Sequence, residues 1–251
     1  MKSFAPLMLT AFALAAGSAA AASPPAGAIK NVVLVHGSFA DGSGWRGVAD
    51  ILVKDGYTVS VVQHPETSLA DDVTAVKRVL AMQDGPAVLV GHSYGGAVIT
   101  QAGSDPKVAA LVYIAGMMPD EGEAAGALLQ KIPAASKAVK PTADGYLQLD
   151  PAQFRADFAA DLPADLTRFM ALSQVFTNGA AFGVPITNPA WKSKPTWAMV
   201  ATEDRAINPE LERFMYKRAN AKVVEVKASH AVYISRPKET AALIERAASG
   251  K

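Results

Sequence analysis

Six short runs of apolar residues recur along the chain: Asn31–Val35 (NVVLV), Tyr57–Val62 (YTVSVV), Ala87–Gly91 (AVLVG), Val108–Gly116 (VAALVYIAG), Thr196–Thr202 (TWAMVAT) and Lys222–Lys227 (KVVEVK). Each is brief and mostly apolar, the pattern of strands covered on both faces. Between them the period becomes helical. In Ser68–Met82 the apolar positions Val73, Val76, Val79 and Leu80 fall on one face, and Asp71 and Asp72 occupy the first turn, where they complement the helix dipole. A later helix is predicted with Asn208 as N-cap and Pro209 at its first position, and a last one over Pro237–Ala248 after Ser235. Strand–helix alternation of this kind predicts an α/β fold: a mostly parallel six-stranded sheet with helices on both faces.

The rhythm breaks once. From Met117 to about Ser193 no run reads as a strand, and the stretch holds Pro133, Pro141, Pro151, Pro163, Pro185 and Pro189 among short helical pieces such as PADLTRFMALSQ. Structureless loops longer than about 15 residues are uncommon in compact domains, so this segment is expected to be a helical cap over one end of the sheet. No internal repeat is present. The first 22 residues stand apart: Lys2, then the apolar stretch Leu7–Ala16, then small residues with Ala20 and Ala22 at cleavage positions. That is the pattern of a removable secretory signal, and its apolar core is short for a bilayer span of about 20 residues. The expected organisation is a signal peptide at 1–22 and one domain at 23–251 carrying the cap at about 117–193. The product would be periplasmic or secreted, with no stable membrane insertion after processing.

Composition narrows the chemistry. The 251 residues include no cysteine, so disulfides and a thiol nucleophile are excluded. The 24 basic and 23 acidic residues nearly cancel, and loss of Lys2 makes them equal. No charge excess remains for a nucleic-acid surface or a polybasic membrane contact.

One pentapeptide carries a reaction. Gly91-His92-Ser93-Tyr94-Gly95 fits G-x-S-x-G between a predicted strand and a predicted helix, the context in which this motif makes a nucleophile elbow. The turn pushes the serine side chain out of a strained backbone, so the residues two before and two after must be tiny. The helix that follows aims its first N–H groups at the serine oxygen. A serine hydroxyl needs a base. Of His36, His64, His92 and His230, only His230 follows Ser93, and in this arrangement the order is serine, acid, histidine. His36 and His92 are expected to be structural, and His64, at the start of a loop, solvated. The acid should follow a strand between Ser93 and His230. Glu203 and Asp204 both qualify, Asp204 being favoured, and Asp120 is an alternative. An oxyanion hole needs two backbone N–H groups. Tyr94, after the nucleophile, supplies one; the loop HGSFADGSGW supplies the other through Ser38, or less favourably Phe39.

The same loop contains a rival motif. Gly42-Ser43-Gly44-Trp45-Arg46-Gly47 is a literal G-x-G-x-x-G, with Glu66 near the offset of a ribose-binding acid. His36–Asp41 separate these glycines from their strand, and Pro65 separates Glu66 from its own, so a flexible turn is favoured over a dinucleotide site. There is no P-loop, and no Cys/His cluster at metal-ligand spacing. Neither a cofactor nor a metal is expected.

The stretches LVHGSFADGSGW, VGHSYGGAVI, LVYIAGMMPDEGE, ATEDRAINPELER and ASHAVYISRP resemble, in this order, the α/β-hydrolases. The chain is most similar to the small serine esterases related to plant methyl esterases and hydroxynitrile lyases, over about Asn31–Ala248 and least in the cap. The resemblance implies the α/β-hydrolase fold, with Ser93 as nucleophile, Asp204 as acid and His230 as base. Pro209 falls where the family keeps a proline after its acid, which favours Asp204 over Glu203. The lyases carry threonine where this chain has Gly37 and lysine where it has Ala231. Haloalkane dehalogenases and epoxide hydrolases need an aspartate where this chain has Ser93. The expected function is hydrolysis of small, largely apolar carboxylic esters through an acyl-enzyme, the partner being a small-molecule ester. The alternatives are a hydroxynitrile-lyase-like or other C–C bond-cleaving member, or an inactive binding protein of the same fold. In the cap Met117, Met118, Phe158, Phe169, Met170, Phe176, Phe182 and Trp191 suit either an apolar ligand or core packing. Phe39, Met117 and Phe176 are the substrate-lining candidates. The oligomeric state is left open.

Export has a direct check. Mass spectrometry of the protein recovered from periplasm or medium is expected to show a mature start near Ser23. An intact amino terminus on soluble cytosolic protein would refute it.

Overall fold

The computed structural model describes residues 23–251; the expected signal peptide lies outside the described residues. Strand β1 (Asn31–Val35) leads through α1 (Arg46–Lys54) to β2 (Thr58–Val62), and α2 (Leu69–Ala81) leads to β3 (Ala87–His92). Helix α3 (Tyr94–Ala102) then leads to β4 (Val108–Ile114). The chain leaves the sheet for α4 (Ala125–Lys131), β5 (Val139–Pro141), β6 (Tyr146–Leu149), α5 (Phe154–Phe158), α6 (Ala164–Leu172) and β7 (Thr177–Asn178). It returns as β8 (Thr196–Ala201), α7 (Pro209–Arg218), β9 (Lys222–Val226), α8 (Val232–Ser235) and α9 (Pro237–Ala248). Each of the six predicted strands forms within two residues of its expected ends. They make one sheet of order β2-β1-β3-β4-β8-β9, parallel throughout.

Period-2 alternation explains how so apolar a sheet packs two layers of helix. Val33, Val35, Leu89, Leu111, Tyr113, Ala198 and Val200 face one core with α2, α3 and α7. Val32, Leu34, Val88, Val90, Val112, Trp197 and Met199 face the other with α1 and α9. The edge strands β2 and β9 are partly exposed rather than covered. Helix starts follow local chemistry. The Ser68 side chain accepts the Asp71 N–H ahead of α2, and the Asn208 side chain accepts the Glu210 N–H ahead of α7, where Pro209 needs no partner.

The segment between β4 and β8 corrects an expectation. It was expected to be helical without strands, yet β5, β6 and β7 form a three-stranded antiparallel sheet. These strands have three, four and two residues. Elements so short leave no periodic signature, and their pairing is decided by contacts far away in sequence. Asn178, for example, donates its N–H to the Glu66 carbonyl at 2.8 Å.

The sheet's register creates the site. Val35 lies opposite Gly91, so the loop after β1 and the turn after β3 leave the sheet side by side. A Cβ at Gly95 would stand 2.3 Å from the His36 carbonyl oxygen, with backbone on both sides of the contact. Gly95→Ala is therefore expected to lower stability by about 3 kcal/mol, measured by urea unfolding, because neither backbone can relax. A loss below about 1 kcal/mol would show that this contact is soft.

Candidate active site

Ser93 sits between β3 and α3 at φ 52° and ψ −125°, a conformation costly for a residue with a Cβ. Its neighbours make the turn possible. A Cβ on Gly91 would meet the Gly95 carbonyl oxygen at 2.5 Å, and one on Gly96 the Met117 carbonyl oxygen at 2.4 Å. The Ser93 N–H donates to the Ile114 carbonyl at 3.2 Å, while its own carbonyl accepts from Gly96 and Met117, each at 2.9 Å. The strained residue is thus gripped by β4, by its own helix and by the loop after β4.

The side chain meets the residues expected for it. Ser93 Oγ lies 2.8 Å from His230 Nε2, and His230 Nδ1 lies 2.6 Å from Asp204 Oδ2. Asp204 and His230 are buried, and Ser93 is 9% exposed, open only toward a cavity. The other Asp204 oxygen, Oδ1, accepts the Ala206 and Ile207 N–H groups at 2.7 and 2.8 Å. These two bonds stabilise the carboxylate and fix the face it turns to the imidazole. Glu203, one residue away, points outward and pairs with Lys227 at 3.6 Å. Asp120 is held by Lys192 at 2.7 Å.

His92, expected to be structural, has a definable task. Its Nε2 donates to the His230 carbonyl at 3.0 Å, so the elbow anchors the backbone of the histidine that faces Ser93. Burial, reinforced by nearby His230, pushes the His92 pKa well below its usual value and keeps the ring neutral.

Ser38 and Tyr94, expected to supply the oxyanion N–H groups, both reach the cavity in front of Ser93. Tyr94 is the first residue of α3, so its N–H has no partner within the helix. The Tyr94 ring is turned into the core, where its hydroxyl donates to Asp72 Oδ2 at 2.9 Å. Phe39, the other donor expected in the loop after β1, lines the same cavity at φ 66°. Ser38 lines the cavity with Ser93, Tyr94 and His230.

The surroundings of Glu66 correct one expectation. His64 is buried, not solvated: its ring stacks on His36 with centroids 3.8 Å apart, and its Nε2 lies 3.0 Å from the His36 carbonyl oxygen. The cause is sheet order, because β1 and β2 are neighbours and their following loops meet. Glu66 is fully buried and accepts the Thr177 hydroxyl, and burial raises its pKa to about 8. His36, His64 and Glu66 thereby gather donor atoms within 4.8 Å, although no metal-ligand spacing joins them in sequence. Stacked rings set their lone pairs side by side rather than converging, as a tetrahedral metal would need. The cluster is better described as a brace between the loop after β1 and the segment carrying β7. The rival glycine motif is absorbed by packing: Cβ atoms on Gly42 and Gly44 would collide with Gln63 and Tyr233, each at 2.6 Å.

The cavity in front of Ser93 has a volume of about 390 Å³. Phe39 and Met117 line it as expected, with Leu129, Leu149, Phe158 and Phe182; Lys137 is the one lysine, arginine or acid among its described wall residues. Phe176 does not line it. Thr177 next door is buried against Glu66, so alternation turns Phe176 out to solvent at 46% exposure. Met118 is buried and its N–H meets Met215 Sδ, Trp191 donates to the Pro119 carbonyl, and Phe169 is exposed. Met170 faces a separate cavity beyond Phe39.

Known proteins share this architecture. The sequence model of the alpha/beta hydrolase family matches residues 32–243. A pyrethroid hydrolase of Sphingobium wenxiniae is 28% identical over 254 aligned positions, covering 86% of each chain. A carbendazim-hydrolyzing esterase of a Nocardioides species is 34% identical over 118 residues, which span 40% of this chain and 48% of that protein. The crystal structure of a pyrethroid hydrolase from Sphingobium faniae superimposes with a TM-score of 0.75 at 25% identity, covering 88% of this chain and 97% of that one.

The acid assignment is checked by kinetics on a chromogenic ester. Asp204→Asn is expected to lower turnover by roughly 10⁴-fold, since an amide there favours the wrong imidazole tautomer. Glu203→Gln, at an exposed ion pair, should leave it within about threefold. A larger effect at Glu203 would overturn the assignment.

Proposed function

The chain belongs to the alpha/beta hydrolase family, and from that premise we propose that it is a serine hydrolase of small, largely apolar carboxylic esters. The observation that carries this reading is the unbroken chain from Ser93 to His230 to Asp204, at 2.8 and 2.6 Å, opening onto an apolar cavity. His230 takes the Ser93 proton through Nε2 as Oγ attacks the ester carbonyl. The Ser38 and Tyr94 N–H groups receive the negative charge that develops on the carbonyl oxygen; such donors are worth about 3 kcal/mol each. His230 then returns the proton to the departing alcohol. Water, activated by the same imidazole, releases the acid and restores Ser93. Asp204 holds the imidazole tautomer and stabilises its transient charge.

The substrate class follows from the walls. A cavity of about 390 Å³ lined by Phe, Met and Leu side chains suits an uncharged ester of modest size. The similar proteins act on pyrethroids and carbendazim by their names, which supports bulky apolar esters and carbamates as the compounds to try. The segment roofing Ser93 disfavours polymers. Export after loss of residues 1–22 remains part of the proposal.

The lyase alternative fits less well. A Cβ at Gly37 would stand 2.6 Å from Ser93 Cβ, so a threonine there has no room. Ala231 is buried with its N–H on the Phe158 carbonyl at 3.0 Å, and it offers no ammonium.

A panel of esters varying in acyl and alcohol size, run beside mandelonitrile, tests the reading. Aryl and methyl esters should turn over, an organophosphonate should label Ser93, and Ser93→Ala should lose at least about 10⁴-fold in kcat. Cyanohydrin cleavage faster than ester hydrolysis would overturn it.

A further inference from the structure

A second carboxyl group stands behind the acid that faces His230. Glu212 lies on the buried face of α7 with Leu211 and Met215, and it is fully inaccessible to solvent. A carboxyl group in an apolar stripe needs partners. Glu212 Oε2 accepts the Ala201 N–H at 3.2 Å, at the end of the strand from which the Asp204 loop departs. Glu212 Oε1 meets no N–H or O–H donor among the described residues. The Ala201 carbonyl in turn accepts the Asp204 N–H at 3.1 Å, so this one residue anchors both acids side by side, and the Asp204 charge acts on the Glu212 carboxyl.

Two adjacent buried carboxyl groups cannot both be ionised without a cation between them. The charged and titratable groups around the pair supply none. Arg213 follows Glu212 on α7, but its guanidinium is held outward by Glu210 at 2.5 Å and Glu225 at 2.7 Å. Tyr216, one turn on, gives and takes hydrogen bonds with Gly116, and Tyr113 on β4 bonds Thr100. His230 is engaged on the far side of Asp204. The proton must therefore reside on one of the two carboxyls. Asp204 accepts two backbone N–H groups and faces the imidazole, all of which favour its charged form; Glu212 accepts a single N–H.

We propose that Glu212 is a positioning residue of the triad: a neutral carboxylic acid that donates its proton in a hydrogen bond to Asp204. The proposal rests on the Ser93–His230–Asp204 reading above. Burial, then the neighbouring Asp204 charge, push the Glu212 pKa in the same direction, well upward. The donated bond fixes the carboxylate from behind while its own loop fixes it from the side, so the imidazole meets one orientation only. It also spreads the Asp204 charge without adding a second negative charge near His230.

The test uses the intact protein and three substitutions. Glu212→Gln keeps the shape and a donor without a charge; Glu212→Leu keeps the volume and removes the donor. In pH–rate profiles on a chromogenic ester, Glu212→Leu should lose tenfold or more in kcat with KM nearly unchanged, and Glu212→Gln should recover most of that loss. The acid limb of the Glu212→Gln profile should coincide with that of the unsubstituted protein, because a neutral group replaces a neutral group. A shift of that limb by a full pH unit toward acid would show that Glu212 is an anion supporting the imidazolium, and would overturn the proposal. Full kcat in Glu212→Leu would overturn it too. If Glu212→Leu fails to fold, infrared difference spectra of the unsubstituted protein against Glu212→Gln decide the matter. A protonated-carboxyl stretch at neutral pH, lost in the variant, is the expected result, and its absence refutes the idea. Ser93→Ala is measured alongside: if that variant retains activity, the triad reading itself has failed, a result distinct from any Glu212 outcome.

Discussion

Everything at this site depends on one steric constraint, the close approach of four backbone segments around Ser93. The serine holds a left-handed conformation at φ 52°, which costs on the order of 1–3 kcal/mol and persists only where surroundings over-determine it. Here they do. Gly91, Gly95 and Gly96 let strand, helix and the loop after β4 close to distances that no Cβ would allow, and Gly37 brings the loop after β1 against Ser93 itself. The strain has a geometric return: the hydroxyl stands clear of the sheet, beside the start of α3 and in front of the loop that carries Ser38.

Around that point the fold arranges buried polar groups in two braces. One runs behind His230, through His92 to its backbone and through Asp204 to the loop after β8. The other runs from His36, just after β1, through Glu66 to Thr177, tying the loop that carries Ser38 to the segment that roofs the cavity. Tyr94 belongs to both the site and this second brace, since it lines the cavity while its hydroxyl is bound to Asp72. Polar groups this deeply buried are costly unless partnered, and once partnered they specify a single geometry. The two braces hold His230 and the loop carrying Ser38 through separate sets of buried contacts.

Much of this was legible in the chain because it is local. Six apolar runs, a motif set between strand and helix, and a histidine after the last strand are short-range signals, and the elements they predict are those observed. The positions that escaped are those whose neighbours come from elsewhere. His64 reads as a loop residue until β2 is seen beside β1, and Phe176 reads as a cap aromatic until Thr177 is seen turned inward. The three short strands of the inserted segment could not be read at all, since two to four residues carry no period. Glu212 did leave a trace, a lone acid on the apolar stripe of Leu211 and Met215, but a helical pattern gives that position no partner.

By itself, then, the sequence determined the layers of the main sheet, the succession of its six strands along the chain, and the elbow, because each follows from periodicity and from glycine's small size over a few adjacent residues. It favoured Asp204 over Glu203 and Asp120 as the acid, and Ser38 over Phe39 as the second oxyanion donor. Only the tertiary structure showed which of the neighbours turns inward, Asp204 meeting His230 and Glu203 turning toward Lys227. It decided likewise between Thr177 and Phe176, by turning the Thr177 hydroxyl onto Glu66 and Phe176 out to solvent. The physical reason is the same in both cases. Which of two neighbouring groups faces inward is set by what waits for it there, and in each case that partner lies 26 or more residues away along the chain.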